Sequence, residues 1–300
     1  MTKVLITGGS GMVGSRIAEI LGDKYEFESL SRQTGLNITQ KEDVLKNFQN
    51  SDTEIVTHLA AKADVDGCES DKDADEKKLE DENTNWENSE SAYGVNVYGA
   101  SNIVDAANKT NKKLIYISTD FVFDGEREEP YAEEDIPNAI NWYAKTKYLA
   151  EEDVRNKSNN FVIARIAYPY RTDFPKKDFM RAMFFRLKEG MELKAVTDHV
   201  MTPTFIDDIA FALDKLILEN QSGIYHVVGS SFVSPFDAAN KIAEIFGFDK
   251  NLISKITRDE FFKGRAPRPF HLALKNAKIA ELGIKTKTFE EGLFEIKKQI

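Results

Sequence analysis

Eight residues near the start of the chain, Thr7-Gly8-Gly9-Ser10-Gly11-Met12-Val13-Gly14, leave its first third few folds to choose from. They fit a GxxGxxG spacing counted from Gly8 and a GxGxxG spacing counted from Gly9. The apolar run Val4 to Ile6 lies just before them in a predicted strand, Lys3 to Thr7. After them Val13, Ile17, Ile20 and Leu21 recur at i, i+4, i+7 and i+8, the period of one helix face. A glycine-rich turn in that position lets the backbone approach a pyrophosphate and aims helix N-terminal N–H groups at it. Gly8, Gly11, Met12, Val13 and Gly14 are therefore candidate dinucleotide-binding residues.

The same grammar continues downstream. Predicted strands at Glu26 to Ser31, Glu54 to Leu59, Lys113 to Ser118 and Phe161 to Ile166 alternate with helical stretches. These stretches are one carrying Val44, Leu45 and Phe48, one from about Ser91 to Lys109, and one from about Asn141 to Lys157. Alternation of this kind is the mark of βαβ units and a parallel sheet, so the fold class is α/β and doubly wound. Beyond Tyr168-Pro169-Tyr170 helices mix with short strands, and residues 169–300 read as a smaller α/β lobe after a dinucleotide-binding domain at 1–168. Ile206 to Leu218 and Ile224 to Val228 look like a further helix and strand, so elements near 204–228 are expected to rejoin the first sheet. One stretch breaks the pattern. Residues 71–90 hold nine acidic residues against three lysines, with Leu79 and Trp86 the only large apolar ones, and read as a solvated insertion or mobile loop.

The charge balance narrows the partners. Forty Lys and Arg against fifty Asp and Glu leave a formal charge of −10, which argues against nucleic acid. No segment reads as a leader or membrane span, and a cytoplasmic location is the default expectation. The single cysteine, Cys68, has no partner for an intramolecular disulfide and reads as a free thiol. No His, Cys or Asp spacing suggests a metal site.

Two further positions carry chemistry. At the end of the second strand, where an acid would meet the adenosine ribose and an arginine would pair with a 2′-phosphate, the chain reads Leu30-Ser31-Arg32. Arg32 therefore favours NADP(H), with NAD(H) left open. Tyr143 and Lys147 stand four apart, on one helix face. A phenol is a poor proton donor at neutral pH until a nearby cation stabilises its anion, which Lys147 would do. Thr119, at the carboxyl end of the fourth strand, is placed to hydrogen-bond the reacting oxygen beside Tyr143. Lys145, two residues from Tyr143, points to another face.

These residues resemble the extended short-chain dehydrogenase/reductases, and within them the dTDP-4-dehydrorhamnose reductase-like branch. The likeness runs over nearly the whole chain. It rests on Thr7 to Gly14, His58-Leu59-Ala60-Ala61, Asp64-Val65-Asp66-Gly67-Cys68-Glu69, Asn96, Ser118 to Gly125, the Tyr143/Lys147 pair, Arg268-Pro269, Leu274 and Leu282-Gly283. The resemblance implies a Rossmann-type sheet and a catalytic set of Thr119, Tyr143 and Lys147. Lys147 would also hold the nicotinamide ribose, and Asn96 would support that lysine through its helix and a water. It further implies cofactor contacts from Leu59, Ala60, Ala61 and Ser118, and substrate contacts from Val65, Asp120, Phe121 and Tyr168.

Relatives that dehydrate their sugar usually follow the strand-four threonine with Asp-Glu, whereas here Asp120 precedes Phe121. Without that glutamate, abstraction of a proton from the neighbouring ring carbon lacks its base, and simple carbonyl reduction is the better expectation. The implied reaction is NADP(H)-dependent reduction of a nucleotide-linked 4-keto-6-deoxy sugar. Ala63 and Tyr168 depart from the branch pattern, so a related nucleotide-sugar ketone is equally compatible. In the second lobe Arg265 and Arg268 flank Ala266-Pro267 and suit bidentate capture of a nucleotide diphosphate. His199 and His226 read as structural. Two alternatives stay open: a nucleotide-sugar epimerase, and a non-catalytic cofactor-binding subunit resembling the β subunit of methionine adenosyltransferase. A homodimer is compatible with either enzyme reading.

Overall fold

A computed structural model describes residues 1–300. In chain order the elements are β1 (Thr2–Thr7), α1 (Met12–Leu21), β2 (Tyr25–Leu30), α2 (Lys41–Asn50), β3 (Ile55–His58), α3 (Val65–Leu79), α4 (Ala100–Lys109), β4 (Lys113–Thr119), α5 (Trp142–Lys157) and β5 (Phe161–Ile166). There follow β6 (Pro169–Tyr170), α6 (Phe179–Lys188), β7 (Leu193–Val196), β8 (Thr204–Phe205), α7 (Ile206–Leu218), β9 (Gly223–His226), α8 (Pro235–Phe246), β10 (Ile253–Ile256), α9 (Arg258–Phe261), α10 (Ala277–Glu281) and α11 (Phe289–Gln299).

Six strands form one sheet in the order β2-β1-β3-β4-β5-β9, and β1 pairs in parallel with both β2 and β3. Val4, Leu5 and Ile6 are wholly buried, and every residue of β4 is buried. Helices on both faces explain such unbroken apolar strands. From β1 the chain passes to β2 on one side and then crosses back to β3 on the other. That reversal opens a crevice at the carboxyl ends of β1 and β3, where α/β sheets bind ligands. A core of Val44, Phe48, Ile103, Val104, Leu114 and Val154 packs α2, α4 and α5 on the sheet.

The chain divides into two compact units, the first formed by 1–122, 139–164 and 216–224, the second by 123–138, 165–215 and 225–300. The second has its own core, in which Tyr170, Met180, Phe184, Phe205, Ile242, Phe289 and Leu293 are buried together. Its helices start on side-chain caps that the sequence spells out: Asp178 for α6, Ser234 with Asp237 and Pro235 for α8, and Thr288 with Glu291 for α11. No helix is long and apolar enough to cross a membrane. No group of three or more His, Cys, Asp and Glu is placed to hold a metal ion.

The acidic stretch corrects the sequence reading. Residues 71–79 are helical, the continuation of α3, and only beyond Leu79 does the chain run through turns. Asp75 is 1% exposed and accepts from the Tyr93 backbone N–H and from Trp142 Nε1, both at 2.9 Å. Asp71 accepts from the Ala92 N–H at 2.7 Å and pairs with Lys62 at 2.6 Å. Charge density read as solvation is here partly internal hydrogen bonding, which a one-dimensional count of acids does not distinguish. The expected helix from Ser91 also differs, since α4 is preceded by a π-helical turn, Gly94–Gly99.

Candidate active site

The glycine turn is shaped by close approach. Gly8 has φ +71°, and a Cβ there would lie 2.7 Å from the Ala60 backbone nitrogen. A Cβ on Gly14 would meet the Gly8 carbonyl oxygen at 2.7 Å. Only glycines let α1 start this close to the strand ends. The Gly8 N–H donates to Leu30 O at 3.0 Å and the Leu59 N–H to Thr7 O at 3.0 Å, which ties the three strand ends together. Beneath them Thr7 Oγ1 and His58 Nδ1 are 2.6 Å apart, and burial holds the imidazole neutral by pushing it down to about 3.

A cavity of about 540 Å³ opens above this turn. Its wall brings together Gly8, Gly11, Arg32, Leu59, Ala60 and Ala61 from the expected cofactor set, with Ser10, Ser31, Lys62 and Glu90 beside them. Met12, Val13 and Gly14 belong to the first turn of α1 behind it. A cradle that a Cβ would fill, donor groups at a helix start and a basic side chain at the far end fit a dinucleotide. A carboxylate from elsewhere in the chain also stands at the end of β2. Glu90, 58 residues away in sequence, reaches Arg32 with a 3.1 Å ion pair.

The candidate catalytic residues sit on β4 and α5. Asn141 caps α5 by accepting from the Ala144 N–H at 2.9 Å, and the Trp142 N–H donates to Glu69 at 2.6 Å. The helix start before Tyr143 is thus fixed from two sides. Burial raises the Tyr143 phenol well above its ordinary value, the neighbouring Thr119 hydroxyl opposes this, and the Asp120 charge adds to the rise. Thr119 Oγ1 donates to Asp120 Oδ1 at 3.0 Å and accepts from the Phe121 N–H at 3.2 Å. Burial pushes the Asp120 carboxyl up to about 7, against its bond from Thr119. Its other oxygen, Oδ2, is buried without a partner. Phe121 meets the Tyr143 ring edge-on at 6.2 Å.

Lys147 donates to the Ile117 carbonyl at 2.8 Å, and its Nζ lies 4.1 Å from the Tyr116 ring centroid. Burial lowers its ammonium to about 7, partly offset by Glu151. Asn96 contacts α5 directly, at the residue before Lys147. Its side chain accepts from the Lys62 N–H at 2.8 Å and donates to Lys62 O and Thr146 Oγ1 at 3.0 Å each. It therefore ties the loop after β3 to α5 at the residue before Lys147. Ser118 is 3% exposed and its hydroxyl has no partner. Val65 is the first residue of α3 and half-buried. Cys68, fully buried, donates to Lys62 O at 3.3 Å with its thiol pushed up to about 12, which leaves it chemically inert.

In the second unit Tyr168 adopts a left-handed φ of 40° and shares a 2.8 Å hydrogen bond with His199, which in turn pairs with Pro269 O at 2.7 Å. Burial lowers His199 to about 4 and His226 to about 3, so both are neutral framework groups. Tyr168, Phe179, His199, Phe261 and Phe262 line a separate cavity of about 710 Å³. Arg268 is held by Ala266 O at 2.7 Å with its guanidinium 5.0 Å from the Phe262 ring centroid, and Arg265 stands 5.8 Å from that of Phe261. Sequence reasoning missed Asp75, Glu90 and Trp142, and it named Glu69 only as part of a motif. No local pattern marks them, because each acts across a long chain separation.

Comparison with known proteins agrees with this geometry. The RmlD substrate binding domain profile matches residues 1–300. The spore coat polysaccharide biosynthesis protein SpsK of Bacillus subtilis is 30% identical over 296 residues, 98% of this chain and 96% of that one. Among solved structures, a dTDP-4-dehydrorhamnose reductase from Bacillus anthracis in complex with NADP superposes with a TM-score of 0.88 at 30% identity, covering 100% of both chains. A dTDP-4-dehydrorhamnose reductase ortholog from Clostridium acetobutylicum gives 0.86 at 32% identity over 99% of each. With its glycine cradle, its Tyr143/Lys147 helix and a profile matched from end to end, the chain belongs to the RmlD substrate-binding-domain family of extended short-chain dehydrogenase/reductases.

Proposed function

We propose that this protein is an NADP(H)-dependent reductase of a nucleotide-linked 4-keto-6-deoxy sugar. The observation that carries this is Tyr143 on α5, one helical turn from the buried Lys147 and edge-on to Phe121, which lies two residues past Thr119 at the end of β4. In this reading the first unit holds the dinucleotide on Gly8, Gly11, Leu59, Ala60, Ala61 and Arg32, and the second reads the nucleotide part of the substrate. The aromatic cavity lined by Tyr168, Phe179, Phe261 and Phe262 suits a flat base, and Arg268 would meet the diphosphate. The dinucleotide, when bound, supplies the hydride for the carbonyl carbon.

The chain's own groups supply the rest. Burial keeps Tyr143 protonated in the resting state, so it has a proton to give. As the carbonyl becomes an alcohol its oxygen gains charge, and the phenolic proton moves to that oxygen while Thr119 orients it. The charged form of Lys147 offsets the phenolate left behind. Phe121 offers no group that could take a proton from the neighbouring carbon, which favours reduction over elimination.

Tyr143→Phe tests the assignment. Oxidation of NADPH with a panel of nucleotide-linked 4-keto sugars should fall by about 100-fold or more, while the Kd for NADPH stays within about threefold. A variant that turns over at the wild-type rate excludes the mechanism. A wild-type protein that binds NADPH but reduces no keto sugar instead points to a non-catalytic cofactor-binding role.

A further inference from the structure

Glu90 is the residue the cofactor site gains only by folding. It closes the acid-rich segment, yet its carboxylate lines the same cavity as Gly8 and Gly11 and takes a 3.1 Å ion pair from Arg32. The two side chains are 57% and 80% exposed, so the pair is weak in water and can be exchanged for another partner. The other basic residue of the cavity wall, Lys62, is already committed to Asp71 at 2.6 Å.

We propose that Glu90 is a specificity-determining residue that holds the site between the two nicotinamide dinucleotides. A 2′-phosphate with a charge of about −1.5 to −2 competes with Glu90 for Arg32, and it meets that carboxylate as a like charge. A dinucleotide without the phosphate presents ribose hydroxyls instead, and a carboxylate is the acceptor for those. Arg32 holds Glu90 in place in that case. One side chain thus penalises the first ligand and helps the second. The inference rests on the proposed reading of this cavity as the dinucleotide site.

Binding of NADPH and NADH to the enzyme without substrate, measured by calorimetry at low salt, tests it. Glu90→Gln should tighten NADPH and loosen NADH, shifting their affinity ratio by about fivefold, the scale of an exposed ion pair. The shift should shrink as salt is raised, because the groups are exposed. It should also shrink on an Arg32→Gln background, where the competition has no object. A ratio that stays within about twofold of wild type in Glu90→Gln overturns the role of Glu90 while both nucleotides still bind. If wild type binds neither nucleotide, the dinucleotide reading of the cavity is what fails.

Discussion

The indole N–H of Trp142 donates to the buried carboxylate of Asp75 across 2.9 Å, which joins α3 to α5 at the residue before the Tyr143 phenol. The same oxygen accepts the Tyr93 N–H, and Glu69, one and a half turns earlier on α3, accepts the Trp142 N–H. The acidic face of α3 therefore sets where α5, the helix of Tyr143 and Lys147, begins.

Removing the Asp75 carboxylate should be costly for stability. Asp75→Ala strands two donors, the Trp142 indole N–H and the Tyr93 amide, and each buried unsatisfied group costs about 1–3 kcal/mol. The urea midpoint should fall clearly at unchanged m-value. Trp142→Phe, which keeps a ring and loses one donor, should fall less. Wild-type unfolding of Asp75→Ala would show that the carboxylate carries no weight in the frame.

The turn after β1 tolerates no side chain at Gly8. In Gly8→Ala the new Cβ meets the Ala60 backbone at 2.7 Å, at a φ of +71° that costs an L-residue about 1–3 kcal/mol. NADPH affinity should drop at least tenfold by calorimetry, with a loss of thermal stability alongside. Undiminished binding by this variant would place the pyrophosphate elsewhere.

Asp120 gives a pH signature. Its folded-state value is raised by burial to about 7 from an ordinary 3.8, so between those values the folded protein keeps a proton that the unfolded chain releases. The contribution of Asp120 is present below the lower value and is lost as pH rises through the upper one, by at most about 1.4 kcal/mol per pH unit. Other buried groups titrate in the same window, so the informative quantity is a difference. Asp120→Asn should gain stability relative to wild type as pH rises from about 4 to 7, read from urea melts at each pH. A difference independent of pH would mean that Asp120 titrates normally.

Much of this was legible in local patterns. The glycine spacing after β1, the four-residue step from Tyr143 to Lys147, and the strands from Lys3 to Ile166 are short-range features fixed by backbone sterics and helical period, and the elements appear where these place them. The acidic segment was not legible, because the cost of a carboxylate depends on whether donors surround it. Asp75 has two and is buried, whereas Glu87, in the same run, is exposed. Asn96 shows the same limit, since its partners Lys62 and Thr146 are 34 and 50 residues away.

The sequence by itself determined that a glycine-rich turn, a parallel sheet and a Tyr-Lys pair would exist, since each depends on residues within a few positions of one another. Only the tertiary structure decided what surrounds them: which carboxylates grip α5, how far burial moves Asp120 and Lys147, and that Glu90 stands against Arg32. Desolvation and ion pairing act through space over a few ångströms, and the chain brings such neighbours together only when the sheet is complete.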